Sequence, residues 1–272
     1  MATSNGDHTS SEHNVTQSTA PTTQINLTGK AIAITGANRG IGLGIANSCL
    51  SNNAAHVYGI DIGDTTEDFV EVQKKYPGRL HALRADVTKE ESVTKAVDKI
   101  LESGGLHGMV VNAGRTKHRL ALDFTTEGIE QLWSINLYGS FYSARVAARA
   151  FIKQGVKGSI VFTASMASYR PNKRVPSAPY DVGKAGVRGL VKTAMTYWVE
   201  QQPDWDQQLK QYGGMPRLAE VEELGGAGVT SCSSRVGKTF QTILSSYVYL
   251  LSDAASYTTS IDIPVNGVIG IC

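Results

Sequence analysis

Residues 30–44, Lys-Ala-Ile-Ala-Ile-Thr-Gly-Ala-Asn-Arg-Gly-Ile-Gly-Leu-Gly, constrain the fold more than any other stretch of the chain. The apolar run Ala31 to Thr35 has the length of a strand. It feeds without a linker into Gly36, Gly40 and Gly42, and then into a helical pattern from Ile41 to Ser51. Glycine permits the tight turn and removes the Cβ atoms that would hold a phosphate away from the backbone. A helix that starts there offers unpaired N–H groups and the positive end of its dipole. The stretch reads as strand, phosphate loop and helix. Turns and helix caps also use glycine, so the loop alone does not name a ligand.

The rest of the chain repeats the alternation. Strand-like runs at His56 to Ile60, Leu80 to Arg84, Gly108 to Val111 and Ser159 to Thr163 are separated by helical stretches at Thr66 to Tyr76, Lys89 to Ser103 and Thr126 to Lys153. Strands joined by crossover helices predict an α/β fold, a Rossmann-like, doubly wound parallel sheet covered by helices on both faces. With 272 residues and 41% hydrophobic content the chain can bury one core, which gives a single domain over 26–272. Residues 1–25 are almost free of large apolar groups and read as a disordered polar tail.

The formal net charge of +2 and the lack of a Lys/Arg run interleaved with aromatics argue against nucleic acid. No stretch is long and apolar enough to suggest a membrane partner. Cys49, Cys232 and Cys272 are widely spaced and odd in number, so neither a disulfide framework nor a metal site is indicated. The tail carries Asp7 and Glu12, has no apolar secretion core and no Arg, and the expected location is the cytoplasm.

In such sheets ligands bind beyond the carboxyl ends of the strands. Asp61 ends the second strand, where a carboxylate can accept both hydroxyls of an adenosine ribose; this favours NAD. Arg39, inside the glycine loop, could meet a 2′-phosphate, so NADP stays open. Asp86 follows the third strand and Asn112-Ala-Gly114 the fourth. Tyr180 and Lys184 are four residues apart, which puts phenol and ammonium on one helical face, and a nearby cation favours the phenolate. Thr163-Ala-Ser-Met-Ala-Ser168 leaves the fifth strand upstream, and Ser165 is nearer the strand end than Ser168.

Taken together and in order, Thr35-Gly36-x-x-x-Gly40-Ile-Gly42, Asp86, Asn112-Ala-Gly114, Asn136, Ser165 and Tyr180-x-x-x-Lys184 resemble the short-chain dehydrogenase/reductase family. Thr163-Ala-Ser-Met is similar to fungal polyol dehydrogenases and sorbose reductases. The resemblance implies an NAD(P)-dependent enzyme that interconverts a secondary alcohol and a ketone, in polyol or specialised metabolism. It implies that Tyr180 exchanges a proton with the substrate oxygen, that Lys184 holds the ribose and lowers the tyrosine pKa, and that Ser165 orients the carbonyl. Asn136 would hold a water linking Lys184 to solvent. Gly36, Gly40, Ile41, Gly42, Asp86, Asn112 and a basic residue, Arg145, are carried over as cofactor contacts, and a homodimer or homotetramer is implied.

After Glu200 the resemblance breaks. Relatives continue with a sixth strand and a Pro-Gly loop before a substrate lid, whereas here the chain passes straight to Gln201-Gln-Pro-Asp-Trp205. The sixth strand is therefore expected to be missing. Gly228 to Ser246 is an addition with no amphipathic continuity with either flank, which makes 201–246 irregular. The alternative reading is a catalytically incompetent relative, or the product of misplaced exon boundaries, that lacks the strand behind the nicotinamide.

Overall fold

The computed structural model describes residues 25–170, 176–193 and 238–255. Most of the tail, the segment after Glu200 where relatives carry a sixth strand and lid, and the chain beyond 255 lie outside the described residues.

Strand β1 (Ala31–Thr35) is buried along its whole length, as a strand covered on both faces must be. Its alternation splits the core. Ile32 and Ile34 point to one layer with Leu43, Ile45, Phe69 and Val110, while Ala31 and Ala33 point to the other with Val97, Ile100, Met109 and Phe151. Around β1 lie β2 (His56–Asp61), β3 (Leu80–Arg84), β4 (Gly108–Val111) and β5 (Ser159–Phe162), all parallel, in the order β3-β2-β1-β4-β5. The order reverses between β1 and β4, and that switch point opens a crevice at the carboxyl edge of the sheet. The Rossmann-like fold expected from the strand and helix periodicities is the one observed, with element ends within one or two residues.

Helices α1 (Gly40–Ser51), α2 (Glu67–Lys75) and α3 (Glu90–Glu102) follow the first three strands. Thr66 caps α2 by accepting from the Phe69 N–H at 3.2 Å, with Glu67 and Asp68 in the first turn and Lys74 and Lys75 in the last, each matched to the helix dipole. The long helix expected after β4 runs as α4 (Thr126–Trp133), one π turn (Ser134–Tyr138) and α5 (Gly139–Gln154). Gly155, in the left-handed conformation at φ 67°, ends it. Helix α6 (Ala178–Thr193) then carries the Tyr-Lys pair.

Helix α7 (Lys238–Leu251) corrects one expectation. It runs through the segment read as unrelated to its flanks, because Leu244, Tyr247, Val248 and Leu251 form one buried stripe at helical spacing. That stripe packs on α1 and β5. Gly108 of β4 leaves room for it, since a Cβ there would sit 2.7 Å from a Leu251 methyl carbon. Lys30 ties down the end of α7, donating to the Leu251 carbonyl at 3.1 Å and to Asp253 at 2.6 Å. Among the described residues no helix is long and apolar enough to cross a membrane.

Candidate active site

A cleft of about 1130 Å³ runs along the carboxyl ends of the strands. At its centre is the glycine loop. Gly36 has a φ of +68°, and a Cβ on Gly42 would stand 2.1 Å from the Gly36 carbonyl oxygen, so the loop closes only with glycine at both positions. Helix α1 starts at Gly40 behind Arg39, which gives no side-chain cap, and its first turn holds no acid. Gly40, Ile41 and Gly42 line the cleft there, so the unpaired N–H groups of the helix start border the open space.

The loop is held from β4. Thr35 Oγ1 accepts from the Asn112 and Ala113 N–H groups, both at 3.0 Å. Asn112 Nδ2 donates to the carbonyls of Thr35 at 3.0 Å and Gly36 at 3.2 Å, and its Oδ1 accepts from the Thr163 hydroxyl at 3.2 Å. Asn112 lines the cleft, and its amide is occupied in tying the ends of β1, β4 and β5 together. Asp61 accepts from the Asn38 N–H at 3.1 Å and the Gly63 N–H at 3.2 Å, which fixes its carboxylate in the wall of a cleft that Arg39 also lines. Asp86 accepts from the N–H and hydroxyl of Thr88 and lines the same wall.

Ser165, Tyr180 and Lys184 line the other end, beside β5 and α6. The Lys184 amine is buried and donates to the Thr163 carbonyl at 2.7 Å; burial lowers its pKa from 10.5 to about 8. It stands 5.9 Å from the centre of the Tyr180 ring. Trp133 pins the start of α6, its indole N–H donating to the Pro179 carbonyl at 3.0 Å, one residue before Tyr180. Ser165 accepts from the Ala167 N–H, whereas Ser168 turns back to the Ser165 carbonyl and is not among the lining residues.

Asn136 sits in the π turn, fully buried. Its amide donates to the carbonyls of Arg115 at 2.7 Å and Leu132 at 2.9 Å, and accepts from the Arg115 N–H at 3.1 Å. The extra residue of the π turn and this three-way bond hold α4–α5 against the loop after β4. Gly114 lets the two cationic and amide groups approach, because a Cβ there would lie 2.9 Å from Asn136 Oδ1 and 3.3 Å from Lys184 Nζ.

One expected cofactor contact is placed elsewhere. Arg145 on α5 makes a paired hydrogen bond with Glu90 of α3 and lies 4.8 Å over the Phe141 ring, away from the lining residues. The pair holds Glu90 below and Arg145 above their ordinary values. A basic residue at this spacing serves here to join two helices.

Two residues of the site were not singled out in the sequence. Thr163 is bonded through its carbonyl to Lys184 and through its hydroxyl to Asn112 and, at 2.6 Å, to Tyr247 of α7. Its sequence signals are its place at a strand end, like Thr35, and its position at the head of the Thr163-Ala-Ser-Met motif. Arg115 lines the cleft immediately after Asn112-Ala-Gly114.

The uncapped helix start, the glycines that keep the backbone bare and the carboxylate at the end of β2 fit an extended dinucleotide. Residues 30–202 match the family model described as short chain dehydrogenase. The chain is 30% identical to the sorbose reductase of Schizosaccharomyces pombe over 92% of this chain and 99% of that one. It is 27% identical to an NADP-dependent mannitol dehydrogenase of Hypocrea jecorina, over 89% of this chain and 92% of that one. Its fold is similar to the NADPH-dependent 3-quinuclidinone reductase of Rhodotorula rubra, with a TM-score of 0.68, 25% identity, and 91% and 93% of the two chains covered. Sequence pattern, sheet order, cleft and relatives agree, and the chain belongs to the short-chain dehydrogenase family of NAD(P)-dependent oxidoreductases.

Proposed function

We propose that this chain interconverts a secondary alcohol and a ketone on a small polyhydroxylated substrate, with Tyr180 as the general acid and base. The observation that carries this reading is the convergence of Ser165, Tyr180 and Lys184 on one end of a cleft whose middle is the glycine loop and whose far wall carries Asp61. When bound, the nicotinamide supplies or accepts the hydride.

This chain's own groups do the rest. Ser165 donates to the substrate oxygen and orients it. Tyr180 gives that oxygen a proton in reduction and takes it back in oxidation. Lys184, a few ångströms from the ring, favours the phenolate while charged; with its amine lowered to about 8, it can also pass a proton near neutral pH. Asn136 keeps the Arg115 backbone and the π turn in place beside the amine and would lead a proton relay to solvent. Gly36, Arg39, Gly40, Ile41, Gly42, Asp61, Asp86 and Asn112 frame the dinucleotide, with Asp61 favouring NAD. The names of the sorbose and mannitol relatives support a polyol or ketose as substrate. A cytoplasmic homodimer or homotetramer completes the proposal.

Tyr180→Phe tests it. Turnover of polyols and ketoses should fall by at least about a hundredfold, while NADH still binds as judged by nicotinamide fluorescence. Unchanged turnover would remove Tyr180 from the chemistry. A wild-type chain that binds NADH and turns over no alcohol or ketone would favour the incompetent relative suggested by the break after Glu200.

A further inference from the structure

The charged residues that line the cleft are sorted by position. Asp61 and Asp86 stand at the ends of β2 and β3, and Arg115 and Lys184 stand at the β4 and β5 end, where Ser165 and Tyr180 are. Arg39 sits at the glycine loop between them. No carboxylate lines the Ser165 and Tyr180 end among the described residues. Residues 115–119 read Arg-Thr-Lys-His-Arg, a basic stretch that enters the cleft lining at Arg115 and Thr116.

The backbone of the stretch is fixed at several points. Asn136 holds both the N–H and the carbonyl of Arg115. Ser177 donates to the Lys117 carbonyl at 2.7 Å, and the Arg119 N–H donates to the Pro176 carbonyl at 3.1 Å, so the stretch is zipped to the residues that lead into Tyr180. Arg115, Lys117 and Arg119 make no ion pair within 4 Å among the described residues, although Glu90, Asp86 and Asp253 each take one elsewhere. Of these three, Arg115 lines the cleft at the end where Ser165 and Tyr180 are.

A guanidinium on a fixed backbone at a cleft wall is suited to a planar oxyanion, which it can bind with two parallel N–H bonds. The glycine loop already offers the cofactor's diphosphate a separate helix start, so a cation lining the Ser165 and Tyr180 end is available to the second reactant. Resting on the redox reading above and narrowing its polyhydroxylated substrate, we propose that Arg115 is a specificity residue for an anionic member of that class, a hydroxy or keto compound that carries a carboxylate or phosphate, such as a sugar acid. Arg115 binds the anionic group while Ser165 and Tyr180 address the carbinol carbon. Lys117 and Arg119, two and four residues further along the same backbone, add positive charge to this stretch, which raises the encounter rate with anions.

The test uses the full-length chain saturated with NADH, titrated calorimetrically with D-gluconate and D-glucitol. The two share a carbon chain, differ by one carboxylate, and are not reduced by NADH. Gluconate should bind at least about tenfold more tightly. Arg115→Gln should reduce that ratio to below about threefold, and Arg115→Lys, which keeps a point charge, should retain most of it. Phosphate-bearing and carboxylate-bearing six-carbon probes run side by side identify which oxyanion is preferred.

Equal binding of the two probes to the wild-type chain, or a ratio untouched by Arg115→Gln, overturns the proposal. So does a loss of NADH affinity in Arg115→Gln that equals the loss for gluconate, because that would assign Arg115 to the cofactor. The readout is binding alone, so gluconate discrimination without turnover of any alcohol would sink the redox reading and leave the anion subsite standing.

Discussion

Gly42 and Lys184 show how single atoms set this site. At Gly42 the added methyl of alanine would meet a main-chain oxygen at 2.1 Å, and backbone cannot swing aside as a side chain can. Gly42→Ala should therefore push the loop off its geometry, at about 1–3 kcal/mol of stability, and weaken NADH binding at least about tenfold in a fluorescence titration. An alanine variant with wild-type affinity would mean that the dinucleotide does not sit on this loop. The glycines stood out in the sequence through their place between an apolar strand and a helix, since their spacing alone fits turns and caps as well. The burial of Lys184 was not, because it follows from Gly114 and the Thr163 carbonyl converging from other strands. Folding takes this amine from its ordinary 10.5 to about 8. Below pH 8 both states hold the proton and the folded state bears the cost of burying it. Between pH 8 and 10.5 the unfolded chain holds more protons, so stability gained from this group rises with pH and is complete above 10.5. At about 1.4 kcal/mol per pH unit the interval amounts to about 3 kcal/mol. In urea titrations without cofactor, the stability of wild type relative to Lys184→Met should grow by about that amount between pH 7.5 and 10.5. A difference that stays flat would mean that the amine is not buried as described.

At the scale of elements, the strands and the first three helices could be read from periodicity because each obeys one local rule. Buried parallel strands are continuous apolar runs, and amphipathic helices keep a stripe. Two features escaped that reading for physical reasons. The π turn at Ser134–Tyr138 leaves the apolar pattern of α4 and α5 intact on either side, and only the Asn136 bonds to Leu132 and Arg115 reveal why the helix bulges there. Helix α7 was divided at Ser246 in the sequence reading because family continuity was weighed above the stripe that begins at Leu244. The same helix brings Tyr247 under β5, where its hydroxyl meets Thr163 at 2.6 Å. Thr163 in turn contacts Asn112 and Lys184, so a helix far along the chain braces both the glycine loop and the amine. Tyr247→Phe keeps the buried ring and deletes the hydroxyl that bonds Thr163. It should cost about 1 kcal/mol in urea unfolding and weaken NADH binding a fewfold, roughly 0.5–1 kcal/mol. Wild-type values for both would show that the brace does not reach the cleft.

Across the whole molecule, the cleft draws one or more residues from the end of every described strand: Asp86 after β3, Asp61 on β2, Gly36 after β1, Asn112 after β4 and Ser165 after β5. That distribution was legible in advance, since a doubly wound sheet must present its strand ends to one edge, and the residues there had been picked out by position. Arg145 belongs to no strand end; it was carried over only from the family resemblance, and a matching residue type says nothing about the partner a side chain finds, here Glu90. A ligand spanning all five strand ends binds only the folded sheet, and it therefore links the strands thermodynamically as well as spatially. At a free concentration about a hundredfold above Kd, such a ligand adds about 2.7 kcal/mol to stability. For a chain of this size that corresponds to a rise in Tm of about 5–10 °C. On the proposed roles, in which Asp61 takes both ribose hydroxyls and Arg39 offsets a 2′-phosphate only in part, NADH should produce that rise and NADPH a smaller one. A larger rise with NADPH would reverse the assignment of those two residues. A cooperative melt unmoved by millimolar amounts of either nucleotide would mean that the sheet forms and the cleft does not close on a dinucleotide, and the incompetent relative would then be the better description of this chain.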